Sequence, residues 1–401
     1  DEGDLAGSSV ASSEEFVVIG APSGGEGEQG EVYVFQRVTN APAPVSAKSV
    51  AGLVAAKDLT PVATLSNPNG AAGLGDKWGG AVAISPDGAT IVIGAPGAGG
   101  GNGAAAMFSR PGATWTNDST PDASLVPAGG VGLGDKFGTA VAVGAGNMIA
   151  VGAPAAASGG GVDAGAAHVF VGTTPVGPPL TPNPATADAN ANFGQSLAMS
   201  GGRLVVGAPN EGAGENGAVR LYDVTATSVS APTTLAPTGG AGIGDKWGTS
   251  VAIDGTTVVG GAPGANGGNG AGVVFQDTGS GMSQRGQLNG GDDAAGSGTG
   301  MSVAVAGDYI LLGAPLASVD GNAGQGRAFV FLQPDGGWRD AEAVGSLAGA
   351  DGEAGDGYGS AVALTRRGAI VGIPNRDLGA DNDQGQADSF VVDRIFRAAF
   401  E

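Results

Sequence analysis

Residues Leu74 to Pro96 read LGDKWGGAVAISPDGATIVIGAP, and much the same words return from Leu133 to Pro154 and from Ile243 to Pro263. An aromatic-glycine pair, a short strand of small residues, a turn, an apolar strand and Gly-Ala-Pro follow in fixed order. Aligned on the first glycine, the unit recurs at Gly7, Gly79, Gly138, Gly194, Gly248, Gly300 and Gly359. Gly-Ala-Pro follows in each copy, with Ile373 in place of alanine in the last. Spacings of 72, 59, 56, 54, 52 and 59 residues are long for solenoid units and suit one four-stranded blade each. The expected fold is all-β, a single seven-bladed β-propeller of four-stranded antiparallel blades across residues 1–401. Its repeats begin near residues 5, 77, 136, 192, 246, 298 and 357.

Each part of the repeat has a physical reason. The first strand is small (Gly79-Gly80-Ala81-Val82-Ala83) because strands converging on an axis leave little room. Asp-Gly turns such as Asp87-Gly88 tolerate positive φ in a tight hairpin. The second strand (Ile91-Val92-Ile93) is apolar on both faces, as a strand buried between neighbouring blades must be. The proline then ends it, having no N–H for the ladder. The third strand carries aromatic residues, as in Glu31-Val32-Tyr33-Val34-Phe35, and a weaker outer strand follows, for example Thr233-Thr234-Leu235. Trp78, Phe137, Phe193, Trp247 and Tyr358 precede the repeat glycine and are expected to wedge between sheets. Ala6 and Thr299 replace them in copies one and six, which predicts the two loosest junctions. The C-terminal segment Arg394 to Glu401 is expected to form the outer strand of blade seven, with closure resting on side chains packed between blades one and seven.

Composition agrees with this reading: 80 glycines and 23 prolines accompany abundant strand-type apolar residues. No apolar run is long enough to span a bilayer as a helix. The opening Asp1-Glu2-Gly3-Asp4 has no basic region and no initiator methionine, and reads as a mature or excised chain. A net charge of -21 with only 17 Lys and Arg argues against nucleic acid or anionic membrane as partner, since both require cationic surface. The absence of cysteine removes disulfides, thiolate metal sites and cysteine nucleophiles together.

The phased Gly-small-Val-Ala and Gly-Ala-Pro elements resemble the FG-GAP repeat, the unit of the integrin α-chain propeller and of many bacterial secreted or surface proteins. The resemblance covers nearly the whole chain and is best seen from Trp115 through Phe170. It implies a non-catalytic adhesion or binding module, secreted or at the cell surface. One departure matters. Repeats of the integrin type often hold Ca²⁺ on Asp-x-Asp-x-Asp-Gly in the hairpin between strands one and two. Here those hairpins read SSEE, SPDG, GAGN, SGG, DGT, AGD and TRRG, so no calcium site is carried over.

In such blades, the loops joining strands two and three emerge on the same face as the links between blades. Counted from the sequence, that face receives eighteen acidic residues, against five in the hairpins between strands one and two. Glu26, Glu28, Glu211, Glu215, Asp320 and Asp356 are candidate ligand-facing residues, suited to a protein or polysaccharide partner of basic character. Asp377, Asp381, Asn382 and Asp383 form the densest oxygen cluster and the candidate metal site. No cofactor is required, and any Ca²⁺ binding is expected to be weak because the spacing misses the EF-hand pattern. Asp76, Asp135 and Asp245 read as caps on turn amides. His168, the sole histidine, lies in a third strand and reads as a packed residue; no Ser-His or Cys-His pair supports nucleophilic chemistry. Residues 38–60 form an insertion that can carry specificity or be a tolerated loop. The expected protein is a monomer and not an enzyme. The competing readings are a hydrolase or lyase using acidic loops on polysaccharide, and a structural propeller of a larger envelope protein.

Overall fold

The computed structural model describes residues 3–25, 29–37, 60–158, 162–182, 189–291, 296–378 and 383–391. Their strands make seven sheets arranged in a ring, antiparallel throughout except where Ala341–Glu342 adds a parallel edge to blade five. Blade one consists of Ser9–Ser12, Phe16–Ala21, Glu31–Gln36 and Ala63–Ser66, hydrogen-bonded in that order from axis to rim. Blade two repeats it with Ala81–Ile84, Thr90–Ala95, Ala104–Ser109 and Ala123–Ser124. In blade seven the described strands are Ala361–Leu364, Gly368–Ile373 and Gln386–Val391. The outer strand expected from Arg394 to Glu401 lies outside the described residues, as does the insertion up to residue 59.

Second strands are the most buried: every residue of Thr90–Ala95, Thr257–Ala262 and Gly368–Ile373 is buried. Sheets cover both of their faces, which explains the unbroken apolar run. Between blades the backbones touch. A Cβ added to Gly94, the glycine of Gly-Ala-Pro in blade two, would overlap the carbonyl oxygen of Gly138, the first glycine of blade three. Gly138 itself has φ +92, a conformation that L side chains rarely adopt. The paired glycines are therefore what allow neighbouring sheets to close up, and the same contact joins Gly372 to Gly7 across the closure of the ring.

A two-bond backbone latch accompanies this contact. In blade three, Lys136 N–H donates to the Gly101 carbonyl at 3.1 Å and Phe137 N–H to that of Asn102 at 3.0 Å. Equivalent pairs run from Asn192 and Phe193, Lys246 and Trp247, Gly298 and Thr299, and Gly357 and Tyr358 to the preceding blade. At the closure, Leu5 donates to Asp383 at 3.1 Å and Ala6 to Gln384 at 3.0 Å. Closure thus combines the expected packing of side chains between blades one and seven, Val17 against Ala363 and Ile370, with the backbone pair found at these five other junctions. Every strand of blade one comes from its own repeat.

The residue before the aromatic position is left-handed in every copy: Leu5, Lys77, Lys136, Asn192 and Lys246 have φ between 54 and 57, and Gly298 and Gly357 complete the set. This turn aims the aromatic ring inward. Trp78, Phe137, Phe193, Trp247 and Tyr358 are all buried, and the indole N–H groups of Trp78 and Trp247 reach the carbonyls of Leu65 and Leu235 at 3.0 and 2.9 Å. Where Thr299 replaces the ring, its hydroxyl is buried against that of Ser297 at 2.8 Å.

Two further tryptophans close the rim. Trp115 and Trp338 lie between the third and outer strands of blades two and six, and both are buried. The chain just after each pairs in parallel with the outer strand of the preceding blade, Leu65 with Asp118 and Leu288 with Ala341. Asn117 accepts the Thr64 N–H at 2.9 Å and Asp340 the Gln287 N–H at 2.8 Å. Both devices cover an otherwise open sheet edge.

Candidate functional site

The links between blades and the loops joining second to third strands share one end of the ring, because the latch bonds tie them together. We call this end the link face. Hairpins between first and second strands occupy the opposite end, the hairpin face. The connections between third and outer strands belong to the hairpin face too: Arg110 in such a connection pairs with Glu15 of a hairpin at 3.3 Å, and Asp277 pairs with Arg203 at 2.9 Å. Asp122, Asp223, Asp277 and Asp335 therefore join the hairpin end, whereas Asp118 and Asp340 lie along the rim, beside the outer strand of the preceding blade. The eighteen-to-five contrast of acids narrows accordingly, since it left these connections out.

Many link-face carboxylates serve the fold. Asp135 accepts the Gly132 N–H and Asp245 the Gly242 N–H, both at 2.6 Å. Asp76 is buried and accepts the Asn69 side-chain amide at 2.9 Å. The capping reading of these three residues holds for Asp135 and Asp245, whereas Asp76 is met by side-chain amides.

Two candidate ligand residues must be corrected. Glu211 is buried against the Arg220 guanidinium, with Nη1 donating to Oε2 at 2.6 Å and Nη2 to Oε1. Arg220 also lies over the Phe193 ring at 5.6 Å. Asp356 is buried as well, accepting from Arg376 Nη1 and from the Glu353 N–H, both at 2.8 Å. Neither presents a carboxylate to solvent. In each case the arginine arrives from a third strand or loop some way along the chain, so the pairing was not visible in the acid count. Glu215 is exposed and pairs with Lys246 at 3.2 Å. Asp320 is exposed, with φ 50 in the blade-six loop. Glu26 and Glu28 lie outside the described residues.

The candidate metal cluster is only partly described. Asp377 and Asp383 are exposed and close their loop on each other, the Asp383 N–H donating to Asp377 Oδ1 at 2.9 Å. Asp381 and Asn382 lie outside the described residues. Among the described residues no group of three or more acidic or histidine side chains is arranged to hold a metal ion.

One feature of this face escaped the sequence reading. Leu74, Leu133 and Ile243 stand at the same place in the links entering blades two, three and five, four residues before the aromatic, and all are exposed. Val162, Leu316 and Leu378 are exposed in loops at the same end. The signal was present in the quoted repeat, but an aliphatic inside a recurring motif reads as core. Rings, by contrast, are withdrawn from this face, as the burial of Trp78, Phe137, Phe193, Trp247 and Tyr358 shows.

His168 packs edge-on to Phe137, with centroids 5.5 Å apart. Burial pushes its imidazole down to about 4, against the weaker pull of Asp135. It is a neutral packed residue at neutral pH, as expected.

On the hairpin face, acids also meet local partners: Glu14 pairs with Arg367 at 3.0 Å, and Asp254 accepts the Gly307 N–H at 2.7 Å. Asp87 is held below the usual carboxylate range by the Ser85 hydroxyl and the Ala89 N–H. Among the described residues no helix is long and apolar enough to cross a membrane.

Residues 183–222 match the FG-GAP repeat family. A search of curated proteins found no match. Among solved structures, the β-propeller domain of the Trilobed protease from Pyrococcus furiosus is similar over 95% of this chain and 94% of that chain, at 8% identity and a TM-score of 0.46. That similarity is too low to inform function. The matched repeat and the seven-bladed ring are together consistent with an FG-GAP propeller.

Proposed function

We propose that this FG-GAP-bearing propeller is a non-catalytic binding or adhesion module, acting outside the cell or at its surface and engaging a basic protein or polysaccharide through its link face. The supporting observation is a set of exposed loops, carrying Asp320, Asp377 and Asp383, fixed to a rigid ring by repeated backbone latches. Rigid loops lose little entropy on binding, and carboxylates steer a cationic partner. A hydrolase or lyase acting on polysaccharide is the rival. Sugar-binding clefts draw on exposed rings, and the junction rings of this face are buried.

The deciding experiment is a panel of immobilised basic proteins, neutral and charged glycans, with capture and glycan cleavage both measured. Salt-sensitive capture without cleavage is expected, and product release from any glycan moves the protein to the enzyme class. Calcium belongs to the same proposal as a weak ligand at most. Calorimetry is expected to give no dissociation constant tighter than roughly 10⁻⁴ M, the range of extracellular modules.

A further inference from the structure

Single exposed aliphatic side chains are ordinary on protein surfaces. Those of the link face differ in being repeated at one structural position. Leu133 is 93% exposed and Ile243 84% exposed, and with Leu74 they precede the aromatic latch residue by four places. The latch does not need them. Ala189 and Ala354 occupy the equivalent places before Phe193 and Tyr358, and those junctions form the same backbone pair. A large aliphatic residue in three of these links therefore has no role in closing the ring, and its side chain makes solvent its main neighbour.

Exposed aliphatic and acidic groups are interspersed on this face. Leu74, Leu133 and Ile243 in the links and Val162 in the blade-three loop are accompanied by Leu316 and Leu378 in the loops of blades six and seven. Asp320, Asp377 and Asp383 are exposed in those same two loops, and Glu215 is exposed in the blade-four loop. Among the described residues no exposed large hydrophobic lies in a hairpin between first and second strands, and the connections between third and outer strands carry only Val62 and Val344, so the repeated position belongs to the link end.

We propose that the link face docks a cationic polypeptide bearing aliphatic side chains, whose apolar residues seat on Leu74, Leu133 and Ile243 while its Lys or Arg residues meet Asp320, Asp377 and Asp383. This rests on the reading of the link face as the binding surface and specifies the partner. Three considerations select it. A glycan would profit from exposed rings, which this face has buried at its junctions. A second copy would bring another chain of net charge -21, and an anionic bilayer would be repelled by the same field. A cationic chain with apolar side chains satisfies both kinds of exposed group, because desolvating aliphatic surface adds affinity that does not depend on salt.

The test uses two short fluorescent peptides of equal charge, one alternating lysine with leucine and one alternating lysine with serine. Binding is followed by anisotropy against the full chain at low and high salt. The lysine-leucine peptide is expected to bind at least about tenfold more tightly, the gain from burying a few aliphatic groups. The combined Leu74→Ser, Leu133→Ser, Ile243→Ser variant should abolish that preference while leaving lysine-serine binding unchanged. The combined Asp320→Asn, Asp377→Asn, Asp383→Asn variant should weaken both peptides and flatten the salt dependence. All these positions are exposed, and thermal melts followed by circular dichroism verify folding. Equal binding of the two peptides, or a serine variant with its preference intact, overturns the inference and leaves the acidic face standing. Binding of both peptides that ignores the asparagine variant overturns the face itself. A concentration-dependent dimer in sedimentation that disappears in the serine variant assigns the aliphatic residues to a second copy and likewise overturns the proposal.

Discussion

At the link face six of the seven junctions show the same two backbone bonds among the described residues, with the same glycine contact, whereas at the hairpin face the junctions are joined by pairs that differ from one to the next. Glu14 meets Arg367 between blades one and seven, Thr90 meets Asn147 between two and three, the Gly255 N–H meets Ser200 between four and five, and the Gly307 N–H meets Asp254 between five and six. Backbone groups are present whatever the side chain, so a junction built from them tolerates variation in everything except glycine. Side-chain pairs must be supplied one by one and change with each repeat. The difference teaches where the ring is held, and therefore which loops are carried on the firmer frame.

The comparison breaks most visibly through glycine. Gly152→Val, at the junction of blades three and four, drives a side chain into the Gly194 carbonyl. Loss of the folded ring is expected, since overpacking against backbone that cannot yield exceeds the ~1–3 kcal/mol of ordinary core overpacking. Gly146 sits in a hairpin on the other face with φ +69 and open space around its Cα, so Gly146→Ala should cost only about 1–2 kcal/mol of left-handed strain. Chemical denaturation of the two variants checks the contrast, and equal losses would erase it.

Next in size is the buried pair of the link face. Removing one partner by Glu211→Gln leaves the Arg220 guanidinium without its counter-charge and should cost about 3–5 kcal/mol. The double replacement Glu211→Leu, Arg220→Met should recover much of that loss, as apolar isosteres often do. A double variant no more stable than the single one would mean that Arg220 is held chiefly by the Phe193 ring.

What the sequence revealed and what it hid follow from the range of each interaction. The blade count was legible because Gly138, its aromatic neighbour Phe137 and the apolar strand Met148–Ala153 are needed together in every copy. Asp135 was legible as a cap because its partner is Gly132, three residues away. Glu211 was misjudged because its arginine belongs to the following strand, and Asp356 because Arg376 lies across a whole hairpin. Trp115 and Trp338 cover the rim of a preceding blade, a contact that no local pattern announces. The connections between third and outer strands were left out of the acid count, so the polarity of the two faces was overdrawn.

A smaller effect comes from His168, which lies on the link side beside Phe137. Its folded-state value near 4 stands below the ordinary 6.5 because burial disfavours the cation. Between those two pH values the unfolded chain binds the extra proton, so stability is full above about 6.5 and falls as pH drops toward 4, by about 3 kcal/mol at most. His168→Gln should flatten that part of the stability profile. Proton NMR on the single histidine gives the check, and a titration midpoint near 6.5 would remove the effect.

The smallest expected change is on the hairpin face. Glu14 and Arg367 are paired at 3.0 Å, but both side chains are largely in water, at 42% and 59% exposure. An ion pair so placed is screened and costs side-chain entropy, so it contributes only about 0.2–1 kcal/mol. Glu14→Gln and Arg367→Gln should each lower stability within that range, and the double variant should lose no more than the worse of the two. Blades one and seven would remain joined by Leu5 and Ala6 to Asp383 and Gln384, so hydrogen exchange at Leu5 and Ala6 should stay as slow in the double variant as in the parent. Fast exchange there would mean that closure depends on the hairpin pair after all, and the two faces would then share the work of holding the ring where its ends meet.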